Sequence, residues 1–419
     1  MITCELFKCC NLCYPISWHQ IGADIDGEAA GDQSGRSVSL SSDGTVLAIG
    51  AWHNDAVGFN SGHVRVYEWK ADTSPPSWVQ RGIDIDGEAF GDYSGASVSL
   101  SNNGTVLAIG ARFNNDYYSG HVRVYEWNGD SWDQMGADID GEYYCDESGY
   151  SVSLSSDGTV LAIGAVFNDA NGDNSGHVRV YEYNGSSWDQ RGDDIDGEAA
   201  GDYSGGSVSL SSDGTVLAIG ATGNGASYSG HVRVYEWEGD SSWQQRGDDI
   251  DGEAAGDGSG YSVSLSSDGT IVAIGATGND GNSTDDYYQS GHVRVYQWIA
   301  GTSDWDQMGA DIDGEAAGDK SGWSVSLSSN GTVLAIGAAG NDANGGASGN
   351  VRVYEWKADT SSPSWQQRGS DIYGEAASDL SGWSVSMSSD GTILAIGAPH
   401  NDNAAGYDFG HVRVYEYVI

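Results

Sequence analysis

Hydrophobic and polar residues alternate along short segments of this chain, and the same segments return seven times in the same order. In the first copy they are Ser37 to Ser41, Thr45 to Ala51 and His63 to Trp69. A fourth segment runs from Trp78 to about Asp86. Alternation with a period of two predicts β-strands, so each copy is expected to contain four strands and no helix.

An Asp-Gly or Asn-Gly pair separates the first two strands of every copy. Such a pair predicts a tight hairpin, because both turn residues adopt positive φ. The turns begin at Asp43, Asn103, Asp157, Asp213, Asp268, Asn330 and Asp390. Each copy opens at a tryptophan, and the period of roughly 55 to 60 residues is typical of repeat architectures. The tryptophans are Trp18, Trp78, Trp132, Trp188, Trp243, Trp305 and Trp365.

Seven copies of four antiparallel strands predict an all-β fold, a seven-bladed β-propeller. The first two strands carry Ser, Val, Ala and Gly, whereas the last two carry Tyr and Trp. This gradient suits wedge-shaped blades that converge at an axis. The chain begins with a fourth strand and ends after a third strand, so residues 18–26 are predicted to complete the last blade and remove its free edge. We therefore predict a propeller over residues 18–419, preceded by an irregular leader over residues 1–17.

The composition is strongly acidic, with 61 acidic residues, 17 basic residues and a formal net charge of −44. Nucleic acids and anionic membranes attract positive surfaces, so neither is an expected partner. No apolar run reaches the ~18 residues that a membrane-spanning helix needs. The 15 Trp and 23 Tyr residues indicate a folded chain, since acidic disordered chains lack aromatic residues.

Four of the five cysteines lie in the leader, at Cys4, Cys9, Cys10 and Cys13. Three interpretations stay open for them: an irregular start, a disulfide or lipidation patch, and half of a metal site. One C-x-x-C pair without a second is weak evidence for zinc. The leader lacks the apolar core of a secretory signal. Its role, and whether the N-terminus is complete, are therefore left undetermined by the sequence.

The copies also share, with single replacements such as Cys145 for the first glycine, the pattern G-D-x-S-G-x-S-V, then D-G-x-x-L-A-I-G-A, then G-x-V-x-V-Y. In the first copy these are Gly31-Asp32, Ser34-Gly35, Ser37-Val38, Gly50-Ala51 and Gly62 to Tyr67. The pattern resembles the FG-GAP repeats of integrin α-subunit propellers, although serine stands in place of the phenylalanine of the family name. The resemblance implies an extracellular or cell-surface role in adhesion or ligand recognition. The family's calcium cage between the first two strands is reduced here to Ser-Ser-Asp-Gly, and Ca²⁺ needs six to eight oxygens, so those cages are not expected.

A second acidic motif, D-I-D-G-E-A-A-G-D, joins the fourth strand of one blade to the first strand of the next. Its first Asp, its Glu and its last Asp recur in all copies, and its second Asp is lost only at Tyr373. Carboxylate oxygens suit Ca²⁺, so these side chains are candidate calcium ligands, and no other cofactor is expected. The candidates are Asp24, Asp26, Glu28, Asp32, Asp84, Asp86, Glu88, Asp92, Asp194, Asp196, Glu198 and Asp202.

The same motif also has a structural interpretation, which its repetition favours. An arginine recurs in the third strand of each copy, as Arg65 in the first, and a buried guanidinium needs a partner such as Glu28. Asp32 is positioned to cap a turn through backbone N–H groups. A histidine precedes the arginine in six copies and Asn350 in the other, which indicates hydrogen bonding rather than catalysis. No catalytic residue is predicted.

The loops between the second and third strands differ among the copies in length and sequence. By strand direction they emerge on the same face as the acidic motif. Their Tyr, Asn and Asp residues supply rigid contact area and adaptable hydrogen bonds, as in recognition surfaces, although drift of exposed loops is an equal alternative. Candidate ligand contacts are Asn54, Asp55, Tyr93, Asn114, Tyr117, Tyr118, Tyr143, Tyr144, Tyr203, Tyr228, Asp285, Asp286, Tyr287, Tyr288 and Tyr407.

Together these patterns predict a non-enzymatic, extracellular or cell-surface propeller that binds a protein or glycan through its variable loops. Two alternatives stay open: a carbohydrate-active enzyme that acts on acidic polysaccharides, and a structural matrix component. An enzyme would be favoured by a deep central pocket with unrepeated acidic and basic groups. The sequence determines neither the ligand nor the oligomeric state.

Overall fold

A computed structural model describes residues 17–114, 118–239, 242–280, 289–358, 360–403 and 406–418. These residues form seven antiparallel sheets, the blades of an all-β propeller, which confirms the predicted fold. The first strands of neighbouring blades contact one another around the whole ring. Several predicted residues lie outside the described part of the chain: Cys4, Cys9, Cys10, Cys13, Tyr117, Asp285, Asp286, Tyr287 and Tyr288.

The first and second strands of each blade lie nearest the axis. The first strands are Ser37–Leu40, Ser94–Leu100, Ser148–Leu154, Ser204–Leu210, Ser259–Leu265, Ser321–Leu327 and Ser384–Met387. The second strands are Val46–Ala51, Val106–Ala111, Val160–Ala165, Val216–Ala221, Ile271–Ala276, Val333–Ala338 and Ile393–Ala398.

The third and fourth strands form the outer half of each blade, and the fourth strand has two segments. The third strands are His63–Lys70, His121–Trp127, His177–Tyr183, His231–Glu238, His292–Ile299, Asn350–Lys357 and His411–Val418. The outer segments are Ser17–Gln20, Ser77–Gln80, Trp132–Gln134, Trp188–Gln190, Ser242–Gln245, Asp304–Gln307 and Ser364–Gln367. The second segments are Ile25–Asp26, Ile85–Asp86, Ile139–Asp140, Ile195–Asp196, Ile250–Asp251, Ile312–Asp313 and Ile372–Tyr373.

The division of the fourth strand corrects the continuous strand predicted from Trp78 to Asp86. Gly82 lies between the two segments with φ +86°. A Cβ atom added there would lie 2.9 Å from the ring of Trp127 in the next blade. The hydrogen bonding of the fourth strand is therefore interrupted where the tryptophan rings of the next blade leave no space for a side chain. Glycine adopts the left-handed conformation there without steric cost.

Repeated serines connect the first strands of neighbouring blades. Ser37 Oγ donates a 2.8 Å hydrogen bond to the carbonyl of Gly95 in the next blade, and each later blade repeats this contact. In the last blade, Ser384 Oγ donates to Gly35 O of the first blade at 2.9 Å. These seven bonds form a closed ring. They explain why the strand nearest the axis carries serine at alternate positions, since a buried hydroxyl needs a partner.

Each hydrophobic cluster lies between two neighbouring blades. Small residues of one blade, such as Ala48 and Val64, face larger residues of the next, such as Leu107 and Tyr125. The interface between the last and first blades is built in the same way, with Val414 against Leu47. Apolar burial between neighbouring sheets, at about 25 cal/mol per Å², therefore stabilises every interface.

The two ends of the chain meet in the last blade. Ser17–Gln20 pairs antiparallel with His411–Val418, where Trp18 lies opposite Tyr417. Ile25 and Asp26 pair with the same strand. In addition, Trp18 Nε1 donates a 2.9 Å hydrogen bond to Arg368 O in the sixth blade. The predicted closure is thus confirmed.

Regular helix is limited to one short segment among the described residues. A five-residue π-helix, Asn224–Tyr228, lies in the loop between the second and third strands of the fourth blade. Within the described ranges, no helix has the length and apolar character required to cross a membrane.

Candidate ligand-binding face

The acidic motifs and the loops between the second and third strands lie together on one end of the propeller, the variable-loop face. Gly62, at the end of the first such loop, forms a parallel bridge with Ser94, which follows the next acidic motif. Gly91 N also donates to Phe59 O at 3.0 Å. Each loop is thus fastened to the motif that follows it.

Each acidic motif divides its side chains between two blades. In the first motif, Glu28 contacts the following blade, where its Oε1 lies 3.8 Å from Arg65 Nη1. Arg65 Nη2 also donates a 2.7 Å hydrogen bond to Asp26 O. The predicted pairing of arginine with glutamate is therefore present, supported by a backbone carbonyl. Glu88 contacts Arg123 and His121 in the second blade, and Glu198 contacts His231 in the fourth.

The first two Asp residues of each motif face the preceding blade instead. Asp24 and Asp26 form a group with His411 of the last blade. Asp84 and Asp86 each have a carboxylate oxygen 4.0 Å from His63 Nδ1, and Asp194 and Asp196 lie 3.8 and 4.0 Å from His177 Nδ1.

The last Asp of each motif is used within the fold. Asp32 Oδ2 accepts hydrogen bonds from Ala29 N at 2.9 Å and from Asn54 Nδ2 at 3.0 Å. Asp92 and Asp202 accept the corresponding backbone bonds. These contacts cap the turn as predicted. The four candidate calcium ligands of one motif therefore lie in three separate environments rather than around one point.

The histidines that face these carboxylates are deeply buried, and His63 forms no hydrogen bond through either ring nitrogen. Burial, with the charge of Arg65 beside it, lowers the pKa of His63 to about 4. Burial also raises the pKa values of Asp26 and Glu28. The first cluster thus places a neutral imidazole beside carboxylates that are partly exposed to solvent.

The side chains predicted to contact a ligand differ in their solvent exposure. Asn54 is buried, and its carbonyl oxygen accepts from Ala56 N at 2.8 Å, so it supports its loop. Asp55 Oδ1 accepts from Asn60 N at 2.7 Å. Tyr93, Asn114 and Tyr203 are half-buried. Five tyrosines are exposed on the face: Tyr118, Tyr143, Tyr144, Tyr228 and Tyr407.

An aromatic groove opens on this face between the variable loops of the first two blades and the acidic connections that follow them. Its volume is about 700 Å³, and its walls include Phe59, Phe90, Tyr93, Phe113 and Tyr118. The rings of Phe59 and Phe90 lie 5.9 Å apart, and those of Phe113 and Tyr118 lie 5.6 Å apart. Phe59 and Phe90 are 61% and 74% exposed, although the sequence analysis did not single them out.

A second cavity, the axial funnel, lies where the seven blades converge and has a volume of about 450 Å³. Every blade contributes the variable residue of the S-G-x-S-V pattern. In the middle five blades a β-bulge in the first strand accompanies this residue, and bulges re-aim side chains. The seven residues are Arg36, Ala96, Tyr150, Gly206, Tyr261, Trp323 and Trp383. Val166, Phe167, Tyr203 and Thr222 complete the wall.

The funnel contains one unpaired arginine, and a paired one lies beside it. The guanidinium carbon of Arg36 lies 4.5 Å from the ring centre of Trp52 and 4.9 Å from that of Trp383. The guanidinium carbon of Arg112 lies 5.0 Å from the ring centre of Trp52, and Arg112 forms a 3.7 Å ion pair with Glu147. Burial lowers the pKa of Arg36 to about 10, so it stays charged at neutral pH. Burial raises the pKa of Glu147 to about 7 despite Arg112.

Sequence comparison agrees with this architecture. The family model for the FG-GAP repeat matches residues 24–67 and 312–354, in the first and sixth blades. No curated protein matches the chain. The protein is therefore a seven-bladed β-propeller in which segments of the first and sixth blades match the FG-GAP repeat, and the other five blades share their strand pattern.

Proposed function

We propose that this propeller is a non-enzymatic, extracellular or cell-surface recognition protein that binds a protein or glycan ligand across its variable-loop face. The distribution of exposed apolar side chains carries the proposal. Twelve large hydrophobic residues are exposed in the described part of the chain. All but Val79 and Ile83 belong to this face. Concentrated exposed aromatic area on a soluble protein marks an interaction site.

The charges at the funnel also support binding rather than turnover. Glycoside hydrolysis requires two carboxylic groups on opposite sides of one bond, whereas Arg36 is the one charged side chain among the described residues that line the funnel. Burial raises the pKa of Tyr261, which opposes its use as a general base at neutral pH. A polysaccharide lyase would need such a base near its arginine.

The recognition proposal is tested with a glycan and extracellular-protein array. The double variant Phe59→Ser/Phe90→Ser removes two exposed rings from the groove, and it should weaken binding of any captured ligand at least tenfold. The matched control is Val79→Ser/Ile83→Ser, which removes two exposed apolar side chains that precede the acidic motif on the outer edge of the first blade. Equal loss of binding in both variants, or loss in neither, would contradict the assignment of this face.

We also propose a divalent cation, with Ca²⁺ as the first candidate, at the acidic clusters between blades. Ligand atoms of Glu28, His63 and Asp84 lie within 4.8 Å of one another, and other blades repeat the group. Three atoms ~4 Å apart have a centre about 2.3 Å from each, which is a Ca²⁺–oxygen distance. The buried Nδ1 atom of His63 has no hydrogen-bond partner, which supports a cation at this group. Asn350, which replaces histidine in the sixth blade, offers an oxygen ligand.

Calorimetry separates this cation from general screening of negative charge. Ca²⁺ at millimolar concentration should raise the melting temperature more than NaCl of equal ionic strength, and chelator should reverse the shift. Asp84→Asn should remove one of several equivalent sites, whereas Asp133→Asn, on the exposed outer strand, should remove none. Mn²⁺ and Zn²⁺ are tested in parallel, since imidazole favours them. If no ion shifts the melting temperature beyond the NaCl control, the clusters are structural.

A further inference from the structure

We propose that the axial funnel binds a carboxylated sugar residue, with Arg36 holding the carboxylate and the aromatic side chains around the axis packing against the sugar ring. The inference deepens the proposed function by naming a ligand class for the centre of the face, and it rests on that function. The proposed sugar site does not include the acidic motifs or the aromatic groove.

Arg36 provides the anion-binding group. Within the described residues, its side chain forms no hydrogen bond and no ion pair, and its guanidinium group stacks on the rings of Trp52 and Trp383. The neighbouring Arg112 is compensated by Glu147. A charged guanidinium that is poorly solvated and lacks a carboxylate gains most from an anionic ligand, because its terminal nitrogens can bind both oxygens of one carboxylate.

The wall of the funnel suits a ring with one apolar face and several hydroxyl groups. Trp323 and Trp383 lie 4.6 Å apart between ring centres, and Tyr261 lies 4.9 Å from Trp323. Their rings provide flat apolar surface, and the hydroxyl groups of Tyr150 and Thr222 provide hydrogen-bonding partners along the same wall. The volume of about 450 Å³ is within the range for small-ligand sites.

The overall charge favours one carboxylate over a polyanion. With a formal charge of −44, the protein repels extended chains that carry many sulfates or carboxylates. A single acidic sugar at the end of a glycan encounters one arginine and no carboxylate among the described lining residues. An acidic amino-acid side chain of a protein shares the carboxylate but lacks the ring, so the two sources can be distinguished.

The test is isothermal titration calorimetry with three probes: methyl β-D-glucuronide, methyl β-D-glucoside and a short aspartate-containing peptide. The wild-type protein should bind the glucuronide at least tenfold more tightly than the glucoside or the peptide. Arg36→Gln should weaken glucuronide binding at least tenfold. Trp383→Leu should weaken it as well. Arg191→Gln is the matched control, because Arg191 is also stacked on a tryptophan, 4.7 Å from Trp237, but lies on the outer strands.

Arg36→Lys serves as a second variant if Arg36→Gln unfolds, because it keeps the charge and loses the planar contact, and an intermediate loss of affinity is expected. Equal binding of glucuronide and glucoside, tighter binding of the peptide, no glucuronide binding, or unchanged affinity in Arg36→Gln would each overturn the proposal. If an array ligand depends on Phe59 and Phe90 but not on Arg36, recognition by the face stands and the funnel assignment fails.

Discussion

Single residues in this propeller are used differently according to whether their position is repeated. The repeated histidine before each third-strand arginine is buried and neutral, and burial lowers its pKa in the blades that carry it, to about 4 in His63 and His411. The position is occupied in the sixth blade by Asn350, which is equally buried. Asparagine therefore fits the same space without an ionisable group.

This contrast predicts how stability depends on pH. An unfolded histidine ionises near pH 6.5, so between pH 6.5 and about 4 the unfolded chain binds more protons than the folded one. The contribution of His63 to stability is present above pH 6.5 and is lost as the pH falls through this window. When the pH falls from 7 to 4.5, the wild type should therefore lose on the order of 1–3 kcal/mol more unfolding free energy than His63→Asn.

Melting temperatures at both pH values measure the effect, and His19→Asn, a substitution on the outer strand, is the control. The raised pKa values of the carboxylates have the opposite effect to the histidine, because they increase stability as the pH falls. This effect is the same in the wild type and in the variant, so it cancels in the comparison. An equal acid-induced loss for wild type and His63→Asn would show that the histidine does not contribute.

At the scale of strands, small polar side chains hold neighbouring blades together near the axis. Ser97 Oγ donates to Gly149 O of the next blade at 2.8 Å, and Ser39 Oγ accepts from Leu100 N at 2.9 Å. Farther out, Trp132 Nε1 donates to Arg81 O at 2.9 Å. Each blade is therefore connected to the next at an inner and an outer radius, with apolar packing between.

Removing one inner connection tests its contribution. Ser97→Ala leaves the half-buried carbonyl contact of Gly149 without its hydroxyl donor, and a lost hydrogen bond of this kind costs about 1–2 kcal/mol. We expect a measurable fall in melting temperature. The exposed Ser361→Ala should stay within about 0.5 kcal/mol of the wild type. A Ser97→Ala protein as stable as the control would indicate that the serines are only steric spacers.

The molecule as a whole depends on pairing between its two ends. Ser17–Gln20 supplies the outer strand of the last blade, and Trp18 packs into the cluster between the sixth and seventh blades. Without this strand, His411–Val418 would present an eight-residue unpaired edge, and such edges promote association.

Deleting residues 1–26 should therefore destabilise the propeller by more than about 4 kcal/mol, since loss of a buried tryptophan alone costs 3–5 kcal/mol. Calorimetry and size-exclusion chromatography would report a lower melting temperature and self-association. A synthetic peptide of residues 17–27, added in trans, should restore the blade by strand addition. The same peptide with Trp18→Ser should not. A truncated protein that melts like the full chain would show that ring closure adds little.

The repeating part of this protein could be predicted from the amino-acid sequence alone. Period-two alternation marked the strands, the Asp-Gly and Asn-Gly pairs marked the hairpins, and the order of strands at the two ends predicted closure. These features depend on contacts that recur in every blade, so seven copies reinforce one pattern. The break at Gly82 was not predicted, because its cause is the tryptophan rings of the next blade rather than the local sequence.

The place where the unrepeated residues meet could not be predicted from the sequence, because it depends on closure of the ring. Arg36, Tyr150 and Trp383 occupy the variable position of the S-G-x-S-V pattern in three different copies, more than 100 residues apart along the chain. In the sequence, each is therefore only an isolated difference between copies. Closure of the ring brings them to a common axis, and the bulged first strands direct this position towards it. The repeated residues form the contacts between neighbouring blades, so they can be recognised in each copy. The shared cavity, in contrast, is formed by all seven blades together.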